Sequence, residues 1–128
     1  MQIRISYTVP NSEYKRTIED LFNTSLTDQE AGGFIYNKEC TVDKGIVFSD
    51  PRRTIKEAID VPQTITFLLG IGTGIGIGVT SNVVSSILIS KLKNCSWLKI
   101  GDQTPKLTLD DIRKVIQEEL EKQKNNSD

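Results

Sequence analysis

Val61 to Ser90 reads VPQTITFLLGIGTGIGIGVTSNVVSSILIS, thirty residues without a charged side chain. Glycine takes every second position along Gly70, Gly72, Gly74, Gly76 and Gly78. Mixed-charge flanks bracket the stretch: residues 1–60 carry 8 basic and 10 acidic side chains, and residues 91–128 carry 8 and 7. The conformation of this one segment decides the architecture.

Several readings compete. As a helix, Ile65 to Ser90 would be about 39 Å long, enough to cross a hydrocarbon core of ~30 Å. Gly70, Gly74 and Gly78 would share one face and Gly72 and Gly76 another, two small-residue grooves for a close helix partner. Ser81, Ser85, Ser86 and Ser90 extend the small surface. Only 13 of those 26 residues are large and apolar, so insertion is near balance. As a soluble element the segment breaks at the glycines, because each interior Gly costs a helix ~0.8–1 kcal/mol relative to Ala. Gln63 to Leu69 is then extended, Gly70 to Gly78 is a turn or helix start, and a helix opens at Ser81 or Asn82 and runs through Leu92. A phosphate loop fails its tests, since neither GxxxxGK[ST] nor GxGxxG occurs. A strand with Ile71, Thr73, Ile75, Ile77 and Val79 on one face would carry glycine on the other, which packs nothing.

Outside this segment the patterns are plainer. Ile3, Ile5, Tyr7 and Val9 alternate as in a half-buried strand. Ser12 is placed to cap a helix over Glu13 to Asn23, with Tyr14, Ile18, Leu21 and Phe22 at helical spacing. Phe34 to Cys40 and Ile46 to Ser49 read as strands around the turn Asp43-Lys44-Gly45. Asp50-Pro51 reads as a helix start, running to about Asp60. Trp97 to Ile100 and Lys106 to Leu107 read as short strands around Gly101-Asp102-Gln103. Thr108 with Asp111 fits a hydroxyl–acid cap, and Ile112, Val115, Ile116 and Leu120 form the apolar stripe of a last helix. Asp110–Lys114 and Glu118–Lys122 are favourable four-apart pairs on it.

Composition narrows the chemistry. The chain has 128 residues, no histidine and a net charge of −1. Histidine-dependent nucleophile systems and His-ligated metal sites are excluded within it. Near-neutral charge removes bulk attraction to nucleic acid. Cys40 and Cys95 are too few for a structural zinc site, and read as two separate, half-buried cytosolic thiols. No stretch at the N-terminus reads as a signal peptide. Asp110, Asp111, Glu118 and Glu119 read as a solvated helix face, and Arg52, Arg53 and Lys56 as ordinary surface charge. Tyr7, Tyr14, Phe34, Tyr36 and Trp97 read as core or half-buried residues, not a base-stacking platform.

LLGIGTGIGIGVTSNVVSSILISKLK, Leu68 to Lys93, resembles a glycine-containing segment that precedes a helix closed by basic residues in the effector-associated constant components, small proteins of prokaryotic conflict systems. MQIRISYTV is similar to that family's opening strand, and Leu109 to Leu120 to its closing helix. The chain differs in lacking a Trp before the basic pair and in its regular glycine alternation. The resemblance implies a non-enzymatic adaptor or regulator of separately encoded effectors in bacterial antiviral defence.

The expected architecture is α+β: a small mixed sheet with flanking helices and one uncharged, glycine-rich helical segment over residues 61–93. It forms a single domain over 1–128, with a frayed tail at 124–128. Gly70, Gly72, Gly74, Gly76, Gly78, Ser81 and Ser85 are the candidate interaction residues, set to pack against a protein partner or a second copy. No catalytic, cofactor or metal site and no small-molecule ligand is expected. The expected location is the cytoplasm. The alternative is a membrane-active effector at the inner membrane, oligomerising through its glycine faces.

Overall fold

The computed structural model describes residues 1–54 and 61–126. In chain order come β1 (Gln2–Val9), a 3-10 turn (Asn11–Glu13), α1 (Tyr14–Phe22), α2 (Asp28–Ala31), β2 (Glu39–Asp43), β3 (Ile46–Arg53), β4 (Gln63–Ile71), α3 (Ile77–Lys91), β5 (Trp97–Ile100) and α4 (Leu109–Asn126). The fold is α+β. The strands form one five-stranded sheet in the order β2-β3-β4-β1-β5.

Alternation decides which side of the sheet is covered. Ile3, Ile5, Tyr7 and Val9 of β1 are buried, as are Ile65, Phe67, Leu69 and Ile71 of β4 and Leu98 and Ile100 of β5. Their neighbours in sequence point to the other side. Phe67 is the hub of the buried side: Phe48, Phe22 and Tyr7 lie around it edge-on, with ring centroids 5.0, 5.8 and 6.2 Å away. The helices pack on this same side. α3 connects β4 to β5 and so spans the strand between them, β1; α4 packs against α3, and α1 reaches α3, β2 and β3. Tyr7 buries its hydroxyl among these layers and bonds it to Thr17 Oγ1 at 2.9 Å, which meets the cost of an interior polar group.

The glycine-rich stretch is not one helical segment. Gln63, Ile65, Phe67, Leu69 and Ile71 are buried at every second position, the strand period, and β4 carries them. Residues 72–76 turn, and α3 starts at Ile77 with Gly76 as its N-cap, earlier than Ser81. Helix-breaking glycine and a β-branched, two-period run both oppose a helix through residues 63–76, so the break falls at the glycines. Among the described residues no helix is long and apolar enough to cross a membrane. The 26-residue helix required for the inserted effector is therefore absent.

Other expectations change as well. Every strand pairing is antiparallel, so the sheet is not mixed. β4 and β5 do run parallel, but β1 lies between them. Asp50-Pro51 does not start a helix; it lies in β3 at a bulge between Ser49 and Arg52, with Asp50 at φ 52°. The remainder of that expected helix, 55–60, lies outside the described residues. Phe34 to Cys40 is no continuous strand: Ile35 makes an isolated bridge to Arg52, and β2 begins at Glu39. Lys106-Leu107 is not a strand, because the Lys106 amide instead donates to Asp111 Oδ2 at 2.6 Å, ahead of α4. Ser12 makes no cap; a 3-10 turn carries the chain into α1. α4 continues to Asn126, so residues 124–126 are helical, while 127–128 lie outside the described residues.

Candidate interaction surface

The open side of the sheet follows from the register. Four rows of side chains cross it. Thr41, Val47, Gly70 and Gln2 form the first, and Glu39, Ser49, Leu68 and Arg4 the second. Ile35, Arg52, Thr66, Ser6 and Lys99 form the third. Thr64, Thr8 and Trp97 form the fourth, with Thr54 joined to it by its amide bond to the Thr64 carbonyl at 2.9 Å.

Hydroxyls line the middle of this surface. Ser6 and Thr66 pair across the strands at 2.8 Å, and Thr8 and Thr64 at 2.9 Å. In each pair one hydroxyl donates to the other, and the second keeps a hydrogen to offer outward. Around them stand Arg4, Arg52 and Lys99, all exposed. Among the described residues none of the three makes an ion pair; the salt bridges lie elsewhere. Trp97 is 38% exposed and Ile35 63% exposed, at opposite edges. Two depressions, of about 430 and 620 Å³, adjoin at Arg4, Thr66 and Leu68, and the second is bounded on its far side by Glu119, Lys122 and Gln123 of α4.

Partly buried contacts behind the sheet hold one rim. Arg53, on the covered side, lays its guanidinium 4.4 Å from the Tyr14 ring centre and 5.0 Å from that of Phe34. Its Nη2 donates to the Gly32 and Gly33 carbonyls, each at 3.1 Å. The Arg53 amide also bonds the Phe34 carbonyl at 2.8 Å. These bonds fix the strand-like piece that sets Ile35 opposite Arg52. Tyr36 shares its hydroxyl hydrogen between the Gly33 and Ala31 carbonyls, at 2.8 and 3.1 Å. Burial pushes its phenol above the ordinary range, against the pull of Arg53.

The candidate residues of the glycine run do not gather into one site. Gly70 lies one residue before the end of β4 on the open face, 3.7 Å from the Gln2 side chain as measured from where its β-carbon would be. Gly72, Gly74, Gly76 and Gly78 are exposed along the turn and the start of α3. A β-carbon on Gly74 or Gly78 would meet nothing within 4 Å. Ser81 and Ser85 are buried instead, bonding back to the Ile77 and Asn82 carbonyls at 2.7 and 3.2 Å. Their polarity is spent within α3, which leaves a small surface inside the helix layer. Tight approaches occur at other glycines. A β-carbon on Gly45 would stand 2.5 Å from Ile75 Cγ1, and one on Gly101 would run into the Glu119 carboxylate.

Comparison with protein-family models, with curated proteins and with solved structures finds no match for this chain.

Several side chains sit elsewhere than expected. Glu119 is not on a solvated face: it is 4% exposed, accepts the Asp102 amide at 2.7 Å and pairs with Lys122 at 3.1 Å. On α4, Asp110 pairs with Arg113 rather than Lys114. Phe34 and Trp97 are exposed, whereas Tyr7 and Tyr36 are buried. Cys40 and Cys95 are separate, half-buried thiols. Burial raises the Cys95 thiol, which keeps it protonated and poorly nucleophilic at neutral pH. Arg4 was not singled out from the sequence, and Trp97 was expected in the core or half-buried. For Arg4 the available signal was the polar set of alternating positions in β1, which the buried set implies.

Proposed function

We propose that this chain is a non-enzymatic interaction component, an adaptor that presents the open face of its sheet to a protein partner. The carrying observation is that face itself: hydroxyls, three cations without partners among the described residues, and exposed Trp97 and Ile35, on a sheet whose helices lie on the other side. Antiparallel sheets commonly leave one side to water, so openness alone is ordinary. Aromatic and arginine side chains standing together on such a surface are the composition that protein interfaces favour. The resemblance of Leu68 to Lys93 supports a role for the adaptor in a bacterial conflict system, in the cytoplasm with a separately encoded effector.

The test is copurification from the native host with a mild tag. A single partner is expected at fixed stoichiometry, in the fraction obtained without detergent. Leu68→Arg or Trp97→Ala should reduce its recovery by about tenfold, the effect of losing one central contact. Ser86→Arg, on the exposed side of α3, should leave it unchanged. Recovery that ignores the sheet and follows Ser86 would move the interface to the helices and overturn this reading.

A further inference from the structure

We infer that the partner segment held by the open face is acidic, a stretch of polypeptide rich in Asp and Glu laid across the face between Ile35 and Trp97. This rests on the adaptor reading and deepens it.

The face is a field of donors. Arg4 and Arg52 border the 430 Å³ depression, and Arg4 and Lys99 border the 620 Å³ one. Two outward hydroxyl hydrogens remain, one from Ser6 or Thr66 and one from Thr8 or Thr64. Carboxylates only accept, and they suit guanidinium and hydroxyl donors together. The two depressions together are lined by five cations, Arg4, Arg52, Arg53, Lys99 and Lys122, against three acids, Asp50, Asp102 and Glu119. Asp50 stands at the bulge beside Arg52, and Glu39 lies out on β2 at the far end of the row that ends in Arg4. In the larger depression Glu119 is already engaged by Lys122 and the Asp102 amide, which leaves Asp102 as its other acid.

The charge stands out against the rest of the molecule. The whole chain is at −1, so positive potential on this face is local, not a share of a basic protein. A locally positive patch steers an acidic segment and rejects a basic one. Trp97 is the one aromatic residue in the four rows, whereas a single-stranded nucleic acid groove stacks successive bases on several. Phosphate-rich strands therefore find charge here but no stacking platform. Trp97 and Ile35 are suited to flank an extended peptide with apolar contacts at each end of the acidic run.

The experiment uses the full chain with two fluorescent probes, a glutamate-rich peptide and a uridine oligonucleotide, each of about ten units, at ~50 and ~150 mM salt. Binding is followed by anisotropy and mapped by backbone amide shifts. The peptide should bind more tightly than the oligonucleotide, weaken several-fold at the higher salt, and shift the amides of Arg4, Ser6, Thr66 and Lys99. Arg4→Gln with Arg52→Gln should weaken it by about tenfold while the melting temperature holds, since both side chains are exposed. Lys114→Gln, an exposed cation of α4, should change nothing.

Tighter oligonucleotide binding at the same amides would replace the acidic partner with a nucleic acid. Peptide shifts confined to α4 or to the turn at 72–76 would overturn the assignment of this face. No binding, with copurification still lost in Trp97→Ala, would overturn the acidic chemistry and leave the adaptor standing. No binding, with copurification unchanged in Trp97→Ala, would remove the two readings together.

Discussion

Gly78 lies in the first turn of α3 with open space where a side chain would begin. Ala there should stabilise the chain by about 0.5–1 kcal/mol, through helix propensity and a smaller unfolded-state entropy. A thermal melt checks it, and a loss of stability would mean that the bare backbone is in contact after all. Gly101 behaves oppositely. Its φ of +58° lies where a β-carbon is strained, and the Glu119 carboxylate fills the adjoining space. Gly101→Ala should cost roughly 2 kcal/mol or more. The double variant with Glu119→Ala should recover part of that loss, less the bond that Glu119 accepts from the Asp102 amide. Gly70, Gly72, Gly74, Gly76 and Gly78 drew attention by their regularity, but the glycines that carry packing are the solitary ones in turns.

At the level of elements, caps and bulges separate what the sequence made legible from what it did not. Thr27 accepts the Glu30 amide and Glu30 returns a bond to the Thr27 amide, a reciprocal cap on the short α2. Thr27→Ala should lower stability by about 1 kcal/mol, read from denaturant melts. Glu30 is held below the usual carboxylate range, first by the Thr27 amide and then by Lys38. Because its folded value is depressed, its contribution is present above the ordinary glutamate range and fades as pH falls through the folded value. The gap between wild type and Glu30→Gln should therefore narrow on acidification. β1 and α4 were legible because alternation at Ile3 to Val9 and the stripe from Ile112 to Leu120 each repeat several times. Thr108 was legible as the cap of α4, and its hydroxyl accepts the Asp111 amide at 3.3 Å. Asp50-Pro51 was not, because the same pair suits a helix start and a strand bulge alike, and the pairing of β3 with β4 selects the bulge. Glu119 was misread because helical spacing tells which side chains share a face, not that the 101–102 turn folds over one of them.

The open face belongs to the molecule as a whole. Its rows bring Ile35, Arg52, Thr66, Ser6 and Lys99 side by side from four strands and a bridge, an order set by long-range pairing and invisible to local pattern. The covered side has its own test. Phe67→Ala removes the ring on which Phe22, Phe48 and Tyr7 converge, and should cost about 4 kcal/mol, a large share of a domain's ~5–15. Chemical denaturation would show it as a lower midpoint with an unchanged slope. The position of β1 has a further consequence. This strand is flanked by β4 on one edge and β5 on the other, partners some sixty and ninety residues later in the chain. Both rims of that nascent ribbon stay unsatisfied until β4 and then β5 have been synthesised, so completion waits on Ile100, and a chaperone shielding newborn β1 would set the yield of folded protein.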